Sequence, residues 1–273
     1  MSWLLLTDTD VVKWTLVPLC IQVILVSLEC LYNRALYRPA NFLDWGHVQA
    51  LRGVSARVLK RQPVSRFFFD YPNVLGLFGA RMLLAAGVLL MTLRGEFFLW
   101  AILPLWIMGL SATIRNGYSE NGSDQMSNIV LTSVSLYFVF SASSFIQAIS
   151  IFFIASQGML AYLTAGFFKA ININWLNGTY LKELLHTKAF SNQVIANVFD
   201  RWKNSYKVAS IALISWEVIM GFCFLMPPPI CLGILAGGVL FHLGVAFIMG
   251  FNTFFWAFLA LYPSIYFVSI KIH

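Results

Sequence analysis

Five ionisable residues, Glu29, Arg81, Lys169, Glu217 and His242, stand inside long apolar runs of this 273-residue chain. In hydrocarbon each is costly unless it is paired, hydrated or neutral, so each calls for a partner or a purpose. Arg81 and Glu217 fall near the middle of their runs, His242 lies in the second half of its run, and Lys169 closes one. Glu29 shares a helical face with Gln22 and Asn33, a polar stripe that must meet protein or water. Ala85, Gly221 and Gly238 each stand one turn from an ionisable residue. Small neighbours of this kind let a second helix come close enough to hydrogen-bond, and Gly233 with Gly237 fits the same packing. One reading is structural: an ion pair, such as Arg81 with Glu217, that only fixes helix packing. The size of the set favours a polar cavity between helices.

Lys169 is the residue best placed for chemistry. Tyr162, Ala165, Gly166 and Lys169 follow i, i+3, i+4, i+7 spacing and share one helical face. Desolvation penalises an ammonium ion, and the neutral amine it favours is a general base. The alternative is a terminal lysine snorkelling to the headgroups, which its position alone favours. Other chemistry is poorly supported. There is no G-x-G-x-x-G, P-loop, H-E-x-x-H or G-x-S-x-G pattern. His47, His186, His242 and His273 have no metal-ligand spacing, so no metal site is expected. Cys20, Cys30, Cys223 and Cys231 form no C-x-x-C pair. A Cys223–Cys231 disulfide is geometrically conceivable, but small buried thiols are preferred. Asn121-Gly122-Ser123 and Asn177-Gly178-Thr179 read as turns.

The elements that must position these residues are membrane spans. The chain is 59% hydrophobic and only 11% charged, against roughly a quarter charged in ordinary soluble domains. Its runs, Trp14–Tyr32, Pro72–Leu93, Phe97–Ile114, Met126–Ser143, Phe145–Ala170, Lys207–Met226, Pro229–Met249 and Phe251–Ile270, predict an all-α polytopic transmembrane bundle of about eight spans. The first run follows Asp8 and Asp10 rather than a basic stretch, so it reads as a retained span and not a signal peptide. One integral membrane domain over 1–273 is the economical organisation.

The net charge of +7 points to lipid headgroups rather than nucleic acid, because the basic residues lie in loops. Arg38, Arg52, Arg57, Lys60, Arg61 and Arg66 fill the first loop, and Lys182, Lys188, Arg201 and Lys203 the fifth. The positive-inside rule then puts these loops in the cytoplasm and both termini outside. Two short amphipathic helices are expected at the membrane surface. One carries Ile195, Val198, Phe199, Trp202 and Tyr206; a weaker one carries Val48, Leu51, Ser55, Val58 and Leu59.

The segment from Tyr162 to Lys169, Tyr-Leu-Thr-Ala-Gly-Phe-Phe-Lys, with Asn174-Trp175-Leu-Asn-Gly-Thr179 after it, resembles the horizontally transferred transmembrane (HTTM) domain. That domain is the membrane module of vitamin K-dependent gamma-glutamyl carboxylases. His242-Leu-Gly-Val-Ala-Phe-Ile-Met-Gly-Phe-Asn-Thr-Phe-Phe-Trp256, with Leu261-Tyr262-Pro263, and Asn121-Gly-Ser-Asp124-Gln125 are similar to further elements of it. The likeness covers residues 110–270; residues 1–70 resemble nothing in that family.

The resemblance implies that Lys169 is the base that starts oxygenation of a reduced quinone such as vitamin K. His242 would then be a proton shuttle or hydrogen-bond donor, and Glu217 its polariser or counter-ion. Tyr162, Trp175, Arg81 and Glu29 would shape the pocket. Two departures stand against a full carboxylase. The carboxylases carry a large extramembrane portion with no counterpart here, and they work on the lumenal side, whereas the charge count places Lys169 towards the cytoplasm. Small bacterial members resemble this chain more closely in size. They accompany peptide toxins, as in sporulation-delaying-protein maturation, which implies a peptide substrate and a second subunit. The expectation is thus a membrane enzyme or enzyme component acting on a peptide or lipid-soluble substrate. The alternative is a non-enzymatic immunity, export or scaffold protein with structural charges. A transporter is disfavoured, since the sequence has no repeated halves.

Overall fold

The computed structural model describes residues 6–51, 63–117, 121–187 and 193–273. Among these residues every regular element is helical. Six helical stretches are long and apolar enough to cross a bilayer: Asp8–Tyr32, Asn73–Leu93, Ser144–Ala170, Ser205–Leu225, Pro228–Met249 and Asn252–Ile272. Large apolar side chains on them face outward, including Phe247 at 83% exposure, Leu240 at 70% and Leu83 at 69%. Water would penalise that surface and hydrocarbon does not, so the protein is a multi-pass membrane protein whose partner on these faces is lipid.

The two remaining expected spans are also helices, Leu99–Asn116 and Gly122–Val139, but they are shorter and more polar than the six. The second carries Ser123, Asp124, Ser127, Asn128, Thr132, Ser133 and Ser135, and several of these hydroxyls bond back to the helix's own carbonyls. Polar groups in such a helix pair with each other or with a neighbour.

Contacts along the chain fall into two compact units, one formed by the described residues up to Val11 with Ile151–His273, the other by Val12–Ser150. The second unit is built from most of α1 (Asp8–Tyr32), the short helices α2 (Trp45–Leu51) and α3 (Pro63–Phe69), α4 (Asn73–Leu93), α5 (Leu99–Asn116) and α6 (Gly122–Val139). Asn121 caps α6, its Oδ1 accepting from the backbone N–H groups of Ser123 and Asp124, while Asp124 accepts from the Asn121 N–H. The pattern read as a turn is therefore a capping box. Helices α5 and α6 are joined by side-chain bonds from Trp106 Nε1 to Thr132 Oγ1 (2.8 Å) and from Asn128 Nδ2 to Thr113 Oγ1 (2.6 Å). The far half of the weaker amphipathic stripe, with Ser55, Val58 and Leu59, lies outside the described residues, as does Lys188.

The first unit contains most of α7 (Ser144–Ala170), then α8 (Ile173–Leu176), α9 (Thr179–His186), α10 (Gln193–Asp200), α11 (Ser205–Phe222), α12 (Pro228–Met249), α13 (Asn252–Leu259) and α14 (Tyr262–Ile272). Pro228 and Pro229 open α12, where a missing N–H costs nothing, and left-handed Gly250 closes it and turns the chain into α13. Gly178, at φ +83°, makes the corner between α8 and α9, where a Cβ would come within 2.5 Å of the Tyr206–Lys207 backbone. That corner rests directly on the start of α11.

The amphipathic helix expected from the fifth loop is α10. Ala196 is buried, and Val194, Val198 and Trp202 project outward, a surface suited to the headgroup boundary. Asp200 links α10 to its neighbours, accepting from Tyr206 Oη at 2.9 Å and meeting His186 Nε2 at 3.3 Å. The Tyr206 hydroxyl, then His186, hold its carboxyl below the usual carboxylate range.

The expected close packing through Gly233 and Gly237 is half realised. A Cβ on Gly237 would meet the Trp216 ring at 2.4 Å, whereas Gly233 has open space beside it. Gly237→Ala is therefore expected to lower stability by about 1–3 kcal/mol through overpacking. Gly233→Ala should gain up to about 1 kcal/mol from helix propensity. Thermal unfolding midpoints in one detergent would compare them; equal shifts would contradict this assignment of faces.

Candidate functional site

Helix α7 carries Tyr162 and Lys169 two turns apart on one face, and α11 and α12 bring Glu217 and His242 to that face. Glycines set the spacing. A Cβ on Gly166 would touch Val218 and Glu217 at 3.0 and 3.3 Å, and one on Gly221 would strike the Leu163 side chain. A Cβ on Gly238 would lie 2.5 Å from Tyr262 Oη and 2.8 Å from Met220 Cε. The small residues noticed beside Glu217 and His242 are thus the places where neighbouring groups come nearest.

Lys169 Nζ donates to Glu217 Oε1 at 2.5 Å and to Oε2 at 2.7 Å. The Glu217 side chain is 8% exposed and that of Lys169 20%. On its open side the ammonium meets the face of Trp175, 5.4 Å from the ring centroid, an attraction that partly replaces lost water. Trp175 is held there because its carbonyl accepts from Ser210 Oγ at 2.5 Å. Lys169 is therefore paired and capped rather than snorkelling freely.

A second polar group stands beside this pair. Tyr162 Oη lies 2.7 Å from His242 Nε2 and 2.9 Å from Tyr262 Oη. The His242 ring stacks on Phe258, with centroids 4.6 Å apart and planes 22° from parallel. Both polar groups border one cavity of about 270 Å³, otherwise walled by Ala161, Ala165, Phe241, Met249, Phe254 and Phe258 among others. An ion pair on one wall and a tyrosine–histidine pair on another, in an aromatic enclosure, can bind a mainly apolar molecule and move a proton at its polar end.

Of the residues expected to share a site, the structure brings Tyr162, Lys169, Glu217 and His242 to one cavity, with Trp175 over the lysine. Glu217 is bonded to Lys169 instead of polarising His242, whose partner is Tyr162. Arg81 and Glu29 belong to the other unit, in which the polar stripe of α1 meets α6: Gln22 Nε2 donates to Asp124 Oδ1 at 3.3 Å. Glu29 borders a separate cavity of about 170 Å³ with Asn33, Tyr37, Asn116, Asn121 and Asp124. Arg81 is buried in α4 within electrostatic reach of Asp124.

Two residues were not singled out from the sequence. Tyr262 stands in the sequence only as part of Leu261-Tyr262-Pro263; its signal is a tyrosine at a helix start, matched to a glycine one turn before His242. Arg115 directly follows the Phe97–Ile114 run, and nothing in its local sequence marks it out. The four cysteines are free and buried, as expected. Among the described residues no cluster of histidine, cysteine, aspartate or glutamate could hold a metal ion. Comparison with protein families, with curated proteins and with solved structures finds no match to this chain.

Proposed function

We propose that this protein is a membrane-embedded enzyme, or the membrane component of one, in which Lys169 is the general base acting on a peptide or lipid-soluble substrate. The observation that carries this reading is the Lys169–Glu217 pair facing an aromatic cavity that it shares with Tyr162 and His242. The sequence likeness to the membrane module of vitamin K-dependent carboxylases supports it. Maturation of a secreted peptide at the cell membrane, with a second subunit, is the setting that likeness favours.

The chemistry follows from the pair. While Lys169 is an ammonium it cannot accept a proton. A ligand entering the cavity displaces water, which raises the cost of keeping two opposite charges there. Transfer of one proton from Nζ to the Glu217 carboxylate removes both charges. The free amine then takes the substrate proton, and Glu217 keeps the one it received. A reduced quinone, the cofactor implied by the resemblance, would be held by Phe241, Phe254 and Phe258 and would supply a hydroxyl proton for Lys169 to take and the electrons of its reduced ring.

Membranes containing the chain would be incubated with labelled bicarbonate, a reduced quinone and a peptide-rich lysate, comparing wild type with Lys169→Ala at equal abundance. Label in polypeptide with wild type alone is the expected result. Absence of label from both samples would remove vitamin K-type carboxylation.

A second reading, a non-enzymatic immunity, export or scaffold protein, draws on the same pair. Lys169 spends donors on both Glu217 oxygens and the Trp175 face, as a purely structural lysine would.

A further inference from the structure

We infer that Tyr262 and Tyr162 form a one-way hydrogen-bond chain that holds neutral His242 with its proton on Nδ1, so that this wall of the cavity donates a hydrogen bond and does not accept one. The inference concerns the cavity proposed above as a catalytic site, but it stands on hydrogen-bond accounting alone and survives if the protein is not an enzyme.

The three polar atoms are in a row: Tyr262 Oη, Tyr162 Oη and His242 Nε2, separated by 2.9 and 2.7 Å. Tyr162, Tyr262 and His242 are 3%, 6% and 6% exposed. Each phenol has one hydrogen to give, and a buried hydroxyl that gives it to nothing is costly. If Tyr262 donates to Tyr162 and Tyr162 to Nε2, both hydroxyl hydrogens are used. If Nε2 instead carries a hydrogen and donates to Tyr162, one phenol is left without an acceptor. Tyr162 must then either give its hydrogen to Tyr262, stranding the hydrogen of Tyr262, or keep its own unused. The first arrangement alone strands nothing, and it leaves Nε2 as an acceptor. Donation from Tyr262 also polarises the Tyr162 hydroxyl, making it a better donor to the imidazole.

The other ring nitrogen then bears the hydrogen. Nδ1 has no bond to a described residue, yet it is not among the buried nitrogen and oxygen atoms sealed away without a partner. The ring borders the cavity, so Nδ1–H opens onto it. Stacking against Phe258 keeps the ring from turning that hydrogen elsewhere. Gly238 keeps the chain intact, because any side chain there would displace Tyr262 Oη. The ligand group seated beside His242 must therefore be an acceptor, a carbonyl or oxyanion oxygen. The proton-accepting role in the cavity falls to Lys169 with Glu217. Tyr262 is a positioning residue that acts through Tyr162.

The test is solid-state nitrogen NMR of the full chain in lipid, with ¹⁵N-labelled histidine. The chain has four histidines, and His242→Gln identifies the signals of this one. Wild type should show a neutral ring with unprotonated Nε2 and protonated Nδ1. Tyr162→Phe should populate both tautomers. Tyr262→Phe should keep the tautomer but move the Nε2 resonance towards that of a weaker hydrogen bond. The remaining histidine signals, unchanged, would show that each variant is folded. A wild-type Nε2–H tautomer, an imidazolium, or a Tyr162→Phe spectrum identical to wild type would overturn the inference.

Discussion

Replacing Arg115 with leucine is expected to destabilise the unit that contains it by about 3–5 kcal/mol, the scale of removing one member of a buried charged hydrogen-bonded group. Arg115 is among the largest fully buried side chains of the described residues. Its Nε donates to the Phe69 carbonyl at 2.8 Å and its Nη2 to the Leu43 carbonyl at 2.7 Å. Phe69 ends α3 and Leu43 lies just before α2, so one guanidinium at the end of α5 ties down both short helices of the first loop. Its cationic plane also packs on Tyr37 and Trp45, at 4.9 and 5.6 Å from their centroids.

Leucine would leave two buried carbonyls without donors, each costing about 1–3 kcal/mol, and would lose the aromatic contacts. Arg115→Lys keeps a charge but cannot reach both carbonyls in a planar fork, and should recover under half of the loss. Thermal unfolding in a fixed detergent, followed by solubility, measures both. If Arg115→Leu melts with wild type, this side chain is not what holds the loop.

The residues that could be read from sequence and those that could not differ in how local their causes are. A span is a local property, so the six apolar crossings, the break at Gly250 and, within one residue, the helix start at Pro228 follow from composition and from the two residues with special backbones. The face shared by Tyr162 and Lys169 is equally local, since it rests on spacing within one helix. Which pair a charge joins is not local. Lys169 and Glu217 are 48 residues apart, and Arg115 lies 72 residues from Leu43. Nothing in the neighbouring sequence says that Glu217 answers Lys169 rather than Arg81.

Helix α12 illustrates a second limit. Apart from His242 it is apolar all round, so its pattern cannot tell the Gly237 side, packed on Trp216, from the Gly233 side. Tyr262 was hidden for a third reason. Its hydroxyl matters only because Gly238 leaves room for it and Tyr162, 100 residues away, meets it.

Separating catalysis from packing at the ion pair requires both partners to be changed. Lys169→Met alone should cost about 3 kcal/mol, because it strands a carboxylate that is nearly buried. Glu217→Gln should cost less, because Lys169 is one-fifth exposed and keeps the Trp175 face. The double variant Lys169→Met/Glu217→Gln removes both charges and leaves a methionine and an amide of similar volume. It should regain much of the loss, with a coupling of about 0.5–3 kcal/mol between the sites. Folded abundance in membranes and the thermal midpoint in detergent give this cycle without any assay of function.

Function then divides the two readings. If Lys169 is the base, activity falls by about 100- to 10,000-fold in both variants that lack it, and restoring stability restores nothing. Should the pair only hold α7 against α11, function would return with abundance in the double variant. Recovery of activity in a chain with methionine at 169 would end the general-base proposal while leaving the measured coupling as the pair's full role. Loss of activity at wild-type stability would place the proton on the Lys169–Glu217 pair, because a methionine and an amide can hold two helices together but cannot accept it.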